Sequence, residues 1–208
     1  MKPSVIFIDE IDSICGARKE DEHESMRRVK TQLMIEMQGV GSDNNGVLVL
    51  GATNLPWEID QAVRRRLEKR IYISLPDEHS RVGILKHHIG KTPHTLTESD
   101  WEELGRLTND FSGSDISTLC KDAIMAPVRR CQSATHFKVI NGYYTPCPAG
   151  DAGAVKMTMY EIPDTTKLLA PKVELGDFML ALTKVKPSVD FKMIQEYEKW
   201  TETFGQDG

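Results

Sequence analysis

Val5-Ile6-Phe7-Ile8-Asp9-Glu10 is the stretch that decides the fold of this chain. Four apolar residues, most of them β-branched, end in two adjacent carboxylates. A continuously apolar run of this kind is typical of a strand buried on both faces of a parallel α/β sheet. Acids that follow such a strand lie at its carboxyl end, which is where open α/β sheets bind ligands. The alternative is a core strand that simply runs into an acidic turn.

The two acids suit the hydrolytic half of a nucleotide site, the Walker B element. Asp9 could hold Mg²⁺ through water, because this ion keeps several waters and needs few protein oxygens. Glu10 could polarise an attacking water. A second apolar run, residues 47–50, ends close to Thr53 and Asn54. Since the two runs are separated by a helical pattern at 25–38, we expect neighbouring parallel strands. The Asn54 amide would then be able to contact a γ-phosphate and the attacking water.

The phosphate-cradling half of such a site is missing from the sequence. A P-loop requires Gly-x-x-x-x-Gly-Lys-Ser/Thr between a strand and a helix. The only Gly-Lys-Thr is at 90–92, where Leu85 occupies the position of the leading glycine and a helical pattern precedes it. We therefore expect the chain to be a fragment that begins downstream of the P-loop.

Composition narrows the class of protein. The chain has 208 residues, 39% hydrophobic content and a net charge of −5, so it can build one or two cores and lacks the basic character of a nucleic-acid-binding domain. Its four cysteines form no Cys-x-x-Cys pair and its six histidines form no metal-ligand pattern. We find no signal-peptide pattern and no apolar run long enough to span a bilayer. These features favour a cytosolic protein with reduced thiols.

The periodicity predicts two regions. Residues 1–76 read as part of an α/β domain whose third strand lies at 70–73. Residues 77–208 read as a helical domain, with a β-like insertion at about 137–168. The predicted helices of this second region lie at 79–89, 98–108, 114–131 (kinked near Pro127), 175–185 and 191–204.

Three adjacent arginines, Arg64, Arg65 and Arg66, follow the second strand. On a helix they point roughly 100° apart, so they cannot all serve one surface. One or two could reach a neighbouring subunit and stabilise charge on its γ-phosphate. A plain solvated surface is the alternative.

These motifs, with the Phe111-Ser112-Gly113-Ser114-Asp115 segment, resemble the AAA ATPases. More narrowly, the chain resembles the meiotic-clade branch that disassembles ESCRT-III filaments in vacuolar protein sorting. The narrower resemblance depends on the arginine run without an intervening Pro-Gly, the segment 134–138, the Gly/Pro-rich insertion and the terminal segment 200–208.

The resemblance implies roles for individual residues. Asp9 would be the magnesium-site acid and Glu10 the residue that activates water. Asn54 would be the first sensor, and Arg65 and Arg66 the fingers that act on the adjacent subunit. Gly113 and Ser114 would approach the adenine of ATP, and residues 16–24 would form the second pore loop.

The resemblance also implies partners and a location. The full protein would form a ring hexamer, act on ESCRT-III filament subunits and bind a regulatory cofactor through the β insertion. It would be cytoplasmic and reach endosomal membranes only through partners. The 208 residues alone should neither bind nor hydrolyse ATP appreciably, and the strand at 70–73 should lack its partner, expose an apolar edge and favour aggregation.

Two other functions stay open. The chain could be a non-catalytic interaction module that binds ATPase rings or their cofactors. It could also belong to the microtubule-severing branch of the AAA ATPases, which shares the Asp9-Glu10 and arginine features. The β-like insertion and the low basic charge argue against severing, because tubulin tails are acidic.

Overall fold

The computed structural model describes residues 3–16, 24–38 and 46–205. It divides the chain into a first unit, Met1–Ile73 with Lys192–Gly208, and a second unit, Ser74–Phe191. The expected division lay at 76/77 and assigned everything after it to the second domain. The C-terminal segment instead groups with the first unit, because Tyr197 packs its ring against Trp57 and Tyr72 there.

The first unit is built on two parallel strands. Strand β1 (Ser4–Ile8) pairs with β2 (Val47–Gly51) in a register that runs from Ser4 opposite Val47 to Ile8 opposite Gly51. The helices of this unit are α1 (Ile11–Cys15), α2 (Glu24–Gln38), α3 (Gln61–Arg64) and α8 (Phe191–Phe204), with a 3-10 turn at Pro56–Glu58. The first two predicted strands and their predicted parallel pairing are therefore confirmed.

The expected burial of the first strand on both faces is wrong for this chain. Val5 and Phe7 are each 64% exposed. A strand is covered on both faces only where other elements pack against both of them. The small core of this unit (Ile11, Cys15, Ile59 and Val63) reaches only the end of β1, at Ile8.

The expected third strand at 70–73 is also absent from the described residues. This segment has no backbone partner there, and Ile71 and Ile73 are 65% and 88% exposed. A strand without a neighbour has no ladder of hydrogen bonds to hold it. The exposed apolar side chains therefore belong to an unpaired segment and not, as was expected, to the edge of a strand.

The second unit is a helical cluster. It contains α4 (Glu78–Ile89), α5 (Glu98–Leu107), α6 (Gly113–Ser133) and α7 (Leu175–Leu182), and each predicted helix is confirmed to within three residues at each end. Helix α6 continues through Pro127 to Ser133. Side-chain caps mark the helix starts, with Asp77 capping α4, and Thr97 and Ser112 forming capping boxes at α5 and α6.

The core of this unit lies between its helices. Leu85, Leu104, Ile116 and Phe178 are fully buried, and the Trp101 ring packs edge-on against Phe178 at 6.3 Å. The buried Arg81 guanidinium joins α4 to α5. Its Nε and one terminal nitrogen donate to the Gly105 carbonyl at 3.1 and 2.9 Å, and the other terminal nitrogen donates to the Pro76 carbonyl at 2.8 Å.

The sequence predicts a β-like insertion, and the structure shows it as a small antiparallel sheet in the order β4-β3-β5. Its strands are β3 (His136–Ile140), β4 (Tyr143–Pro146) and β5 (Val155–Lys156). The turn between β3 and β4 is Asn141-Gly142, with φ values of 51° and 84°. Positive φ at both positions is the mark of a two-residue type I′ hairpin, for which Asn-Gly is the favoured sequence.

Candidate functional site

The acids and Asn54 lie at the same edge of the parallel sheet. Asp9 and Glu10 follow β1 directly, and Asn54 comes three residues after the end of β2. Backbone hydrogen bonds extend the pairing past the strands: Ala52 N–H donates to the Ile8 carbonyl at 2.9 Å and Ile11 N–H to the Ala52 carbonyl at 3.0 Å. The structure thus brings these three exposed side chains to the carboxyl edge that the sequence indicates.

Glu10 has a left-handed backbone conformation, with φ 48° and ψ 47°. This conformation costs an L-residue about 1–2 kcal/mol. Glu10 occupies the position before α1, yet its side chain makes no capping bond. Instead its N–H donates to Oδ1 of Asp9 at 2.9 Å. The strained turn leaves the Glu10 carboxylate exposed at the sheet edge, and strain of this kind is often found at functional sites.

A side-chain bridge that the sequence does not predict joins the two strand ends. The Thr53 hydroxyl donates to Oδ1 of Asp12 on α1 and accepts the Leu55 N–H at 2.9 Å. The segment before Asn54 is therefore tied to the helix that follows Glu10. The sequence offers one signal for this bridge: Asp12 lies only two residues beyond Glu10, close to the same edge of the sheet.

The carboxylate oxygens of Asp9 and Glu10 suit Mg²⁺ better than a transition metal. Within the described residues, no group of three or more His, Cys, Asp or Glu side chains could hold a metal ion. Mg²⁺ commonly uses one or two carboxylates, with water and substrate phosphate in its other positions. Asp9 has one oxygen engaged by the Glu10 N–H and can offer the other.

The three arginines are distinguished by their contacts. The Arg64 guanidinium lies 4.1 Å from the ring centre of Phe204, a cation–π contact. Arg66 donates to the Ala62 carbonyl at 2.6 Å and lies 3.9 Å from the Met34 sulfur. Arg65 is exposed, and its side chain makes no hydrogen bond, ion pair or ring contact within the described residues. Among the three, Arg65 is thus the one that can reach out of the subunit without losing a contact.

Gly113 and Ser114 lie in the second unit, as the first two residues of α6. Both are exposed, and a Cβ at Gly113 would meet nothing within 4 Å. Behind them the buried Asp115 carboxylate accepts from the Ser112 N–H and hydroxyl at 2.9 and 2.8 Å and from the Ser188 N–H at 3.2 Å. Burial by itself would raise the pKa of Asp115, but these hydrogen bonds outweigh it and hold the pKa below its ordinary value. The pair therefore lies at a firmly capped helix start, open to a ligand.

Most of the segment 16–24, expected to be a pore loop, falls outside the described residues. Next to this segment, Lys30 of α2 donates to the carbonyl of Gly16, its first residue, at 2.5 Å. None of the helices in the described part of the chain combines the length and the apolar character that crossing a bilayer requires.

Comparison with known proteins places these features in a family. Residues 1–75 match the model of the ATPase family associated with various cellular activities (AAA), residues 98–141 that of the AAA+ lid domain, and residues 144–205 that of the Vps4 C terminal oligomerisation domain. The chain is 51% identical to vacuolar protein sorting-associated protein 4B of Mus musculus over 219 aligned residues, which cover 100% of this chain and 49% of that protein. It is 38% identical to spastin of Bos taurus, over 99% of this chain and 29% of that protein. A crystal structure of the FIGL-1 AAA domain superposes with a TM-score of 0.74 at 36% identity, over 98% of this chain and 58% of that one.

The sheet edge, the helical lid and these matches define the class: the chain belongs to the AAA family, whose members are nucleotide-binding ATPases. Within that family it belongs with the Vps4-like proteins, as the 51% identity along the whole of this chain and the match of residues 144–205 show. The chain spans about half the length of the curated relatives that it matches.

Proposed function

We propose that this chain is the catalytic-strand and lid portion of a ring ATPase that couples ATP hydrolysis to the disassembly of ESCRT-III filaments. In the whole protein, water attacks the γ-phosphorus of ATP and releases ADP and phosphate. Glu10 orients that water and accepts its proton, and Asn54 positions the water and the γ-phosphate. Asp9 would hold Mg²⁺, which supplies neutralisation of phosphate charge.

Other residues serve binding and assembly in this proposal. Arg65 acts on the neighbour's γ-phosphate, and Arg66 supports it. Gly113 and Ser114 approach the adenine. Self-assembly into a ring hexamer is supported by the oligomerisation-domain match over residues 144–205. The small sheet β4-β3-β5 within about 137–168 would dock a regulatory cofactor, and the protein would be a cytoplasmic one that partners recruit to endosomal membranes.

The single observation that carries the proposal is the placement of the polar residues. The register that puts Ile8 opposite Gly51 brings Asp9, Glu10 and Asn54 to one edge of a parallel sheet. An acid pair and an amide at the carboxyl ends of adjacent strands are the parts that hydrolysis of a triphosphate requires.

The experiment uses a chimaera in which this chain replaces the aligned half of the mouse 4B protein. Its ATP turnover is measured together with the loss of sedimentable ESCRT-III filaments. Glu10→Gln should lower kcat by roughly 10²- to 10⁴-fold while ATP binding is retained. Glu102→Gln, an exposed change on α5, is the matched control and should turn over normally. The 208-residue chain alone should show no turnover. Normal turnover by Glu10→Gln would refute the assignment of Glu10. Turnover without filament loss would refute ESCRT-III filaments as the substrate.

A second candidate, a non-catalytic module that binds ATPase rings, is favoured by the lack of a P-loop motif in these 208 residues. The Gly-Lys-Thr at 90–92 is no substitute, because Gly90 ends α4 with φ 52° and does not begin a helix. Two results together would favour this function: the added chain inhibits assembled mouse 4B rings, and the chimaera shows no ATP turnover. The alternative relative is less supported, since identity to spastin is 38% against 51% for the mouse 4B protein.

A further inference from the structure

The C-terminal helix α8 reaches the residue assigned as the first sensor. The Tyr197 hydroxyl donates to the backbone carbonyl of Asn54 at 2.7 Å. The Tyr197 ring lies 5.3 Å from the Trp57 ring and 5.9 Å from the Tyr72 ring, measured between ring centres. Two aromatic neighbours restrict the ring, so the hydroxyl is held at a defined place.

Asn54 needs such an anchor because it lies beyond the sheet. Strand β2 ends at Gly51, and Asn54 is exposed. On its N-terminal side the Thr53 hydroxyl is bonded to Asp12. On its C-terminal side the peptide that joins Asn54 to Leu55 is held by the Thr53–Leu55 bond and by Tyr197. Removing the tyrosine hydroxyl leaves this peptide held only through the Leu55 N–H, so the backbone at Asn54 loosens and the Asn54 side chain is positioned less precisely.

We propose that Tyr197 is a positioning residue for Asn54, so that α8 helps to set the geometry of the ATP site as well as supporting assembly. This inference depends on the proposed function, because it takes Asn54 as the group that positions water and the γ-phosphate. The contact between Phe204 and Arg64 shows that α8 also touches the arginine run, at 4.1 Å. One helix therefore contacts both the sensor segment and the segment that presents the arginine finger.

The test is Tyr197→Phe in the chimaera described above, since this change removes only the hydroxyl. A single neutral hydrogen bond corresponds to roughly a 2- to 12-fold change, so kcat should fall by about that factor. The KM for ATP should be unchanged, because the ring stacking keeps α8 in place, and the thermal midpoint should fall only by the contribution of one hydrogen bond. Amide hydrogen exchange should quicken at residues 53–55. Ser99→Ala on α5 is the control, since it also removes a single hydroxyl, and the exposed Ser99 hydroxyl makes no hydrogen bond in the described part of the chain.

A double-mutant cycle with Asn54→Ala makes the result independent of any general loss of stability. If Tyr197 acts through Asn54, Tyr197→Phe has no further effect on kcat in the Asn54→Ala background. An equal fall in both backgrounds overturns the inference, and so does an unchanged kcat in Tyr197→Phe. Failure of the proposed function is distinguishable, because Glu10→Gln would then turn over like the wild-type chimaera.

Discussion

Two glycines of the second unit should respond in opposite directions to the same substitution. Gly83 on α4 and Gly105 on α5 both lie within helices that pack together. An added Cβ at Gly83 would meet nothing within 4 Å. At Gly105 it would lie 2.7 Å from Cγ2 of Val82 and 3.4 Å from the Glu78 carbonyl oxygen. Gly105 is therefore the point at which α5 approaches α4 too closely for any side chain.

The free energies follow from these distances. Replacing glycine by alanine inside a helix stabilises it by about 1 kcal/mol, so Gly83→Ala should raise the free energy of unfolding by roughly 0.5–1 kcal/mol. Overpacking costs about 1–3 kcal/mol. At Gly105 the cost should lie toward the upper end, because Val82 is β-branched and has few rotamers in a helix. Separating the helices would also lengthen the bonds from Arg81 to the Gly105 carbonyl, now 3.1 and 2.9 Å. After the helix gain is subtracted, Gly105→Ala should destabilise by about 1–2 kcal/mol.

The assay is amide hydrogen exchange of α5 and α6 peptides in the whole chain, followed against urea concentration. It reports on the second unit without requiring cooperative unfolding of the first. The two variants should move the opening free energy of α6 in opposite directions, with a separation of about 1.5–3 kcal/mol. Equal shifts for both variants would show that α4 and α5 are not in this close contact, and the structural argument would fail.

The remaining predictions concern the arginines and the pH dependence. Arg65→Ala in the chimaera should lower kcat by roughly 10³- to 10⁵-fold, whereas Arg64→Ala should lose only a cation–π contact of about 0.5–1 kcal/mol and keep most of the activity. Mixing Arg65→Ala with Glu10→Gln subunits should restore turnover, because one supplies the acid and the other the arginine; mixed rings that stay inactive would contradict this role. The lowered pKa of Asp115 predicts that its contribution to stability is complete above its unfolded pKa of about 4 and is lost as the pH falls through the lower folded value. Asp115→Asn should flatten the acid limb of the free energy of unfolding recorded between pH 5 and pH 2. Part of the limb should remain, because the pKa values of Asp77 and Asp100 are also lowered. An acid limb identical to that of the wild type would contradict the assigned hydrogen bonds.

Much of the architecture could be predicted from the sequence because its signals are local. Ser112 and Asp115 mark the start of α6 three residues apart, and Asn141-Gly142 encodes a hairpin turn. The apolar runs at residues 5–8 and 47–50 predict parallel strands, and parallel strands bring their carboxyl ends to one edge. Asp9, Glu10 and Asn54 could therefore be placed together without coordinates.

Burial and long-range contacts could not be predicted in this way. The apolar run at 5–8 reads as buried, but only neighbouring elements cover a strand, and Val5 and Phe7 remain 64% exposed. The run at 70–73 reads as a strand, but a strand also needs a partner for its backbone, and the described residues supply none.

The sequence by itself determined the two parallel strands, the long helices and the edge that carries the acids, since each depends on residues close together in the chain. Only the tertiary structure decided that Glu10 is left-handed, that Phe204 holds Arg64 while Arg65 stays exposed, and that Tyr197 bonds to Asn54 across 143 positions. Such contacts depend on how helices far apart in the chain pack in space, and no local spacing encodes that packing.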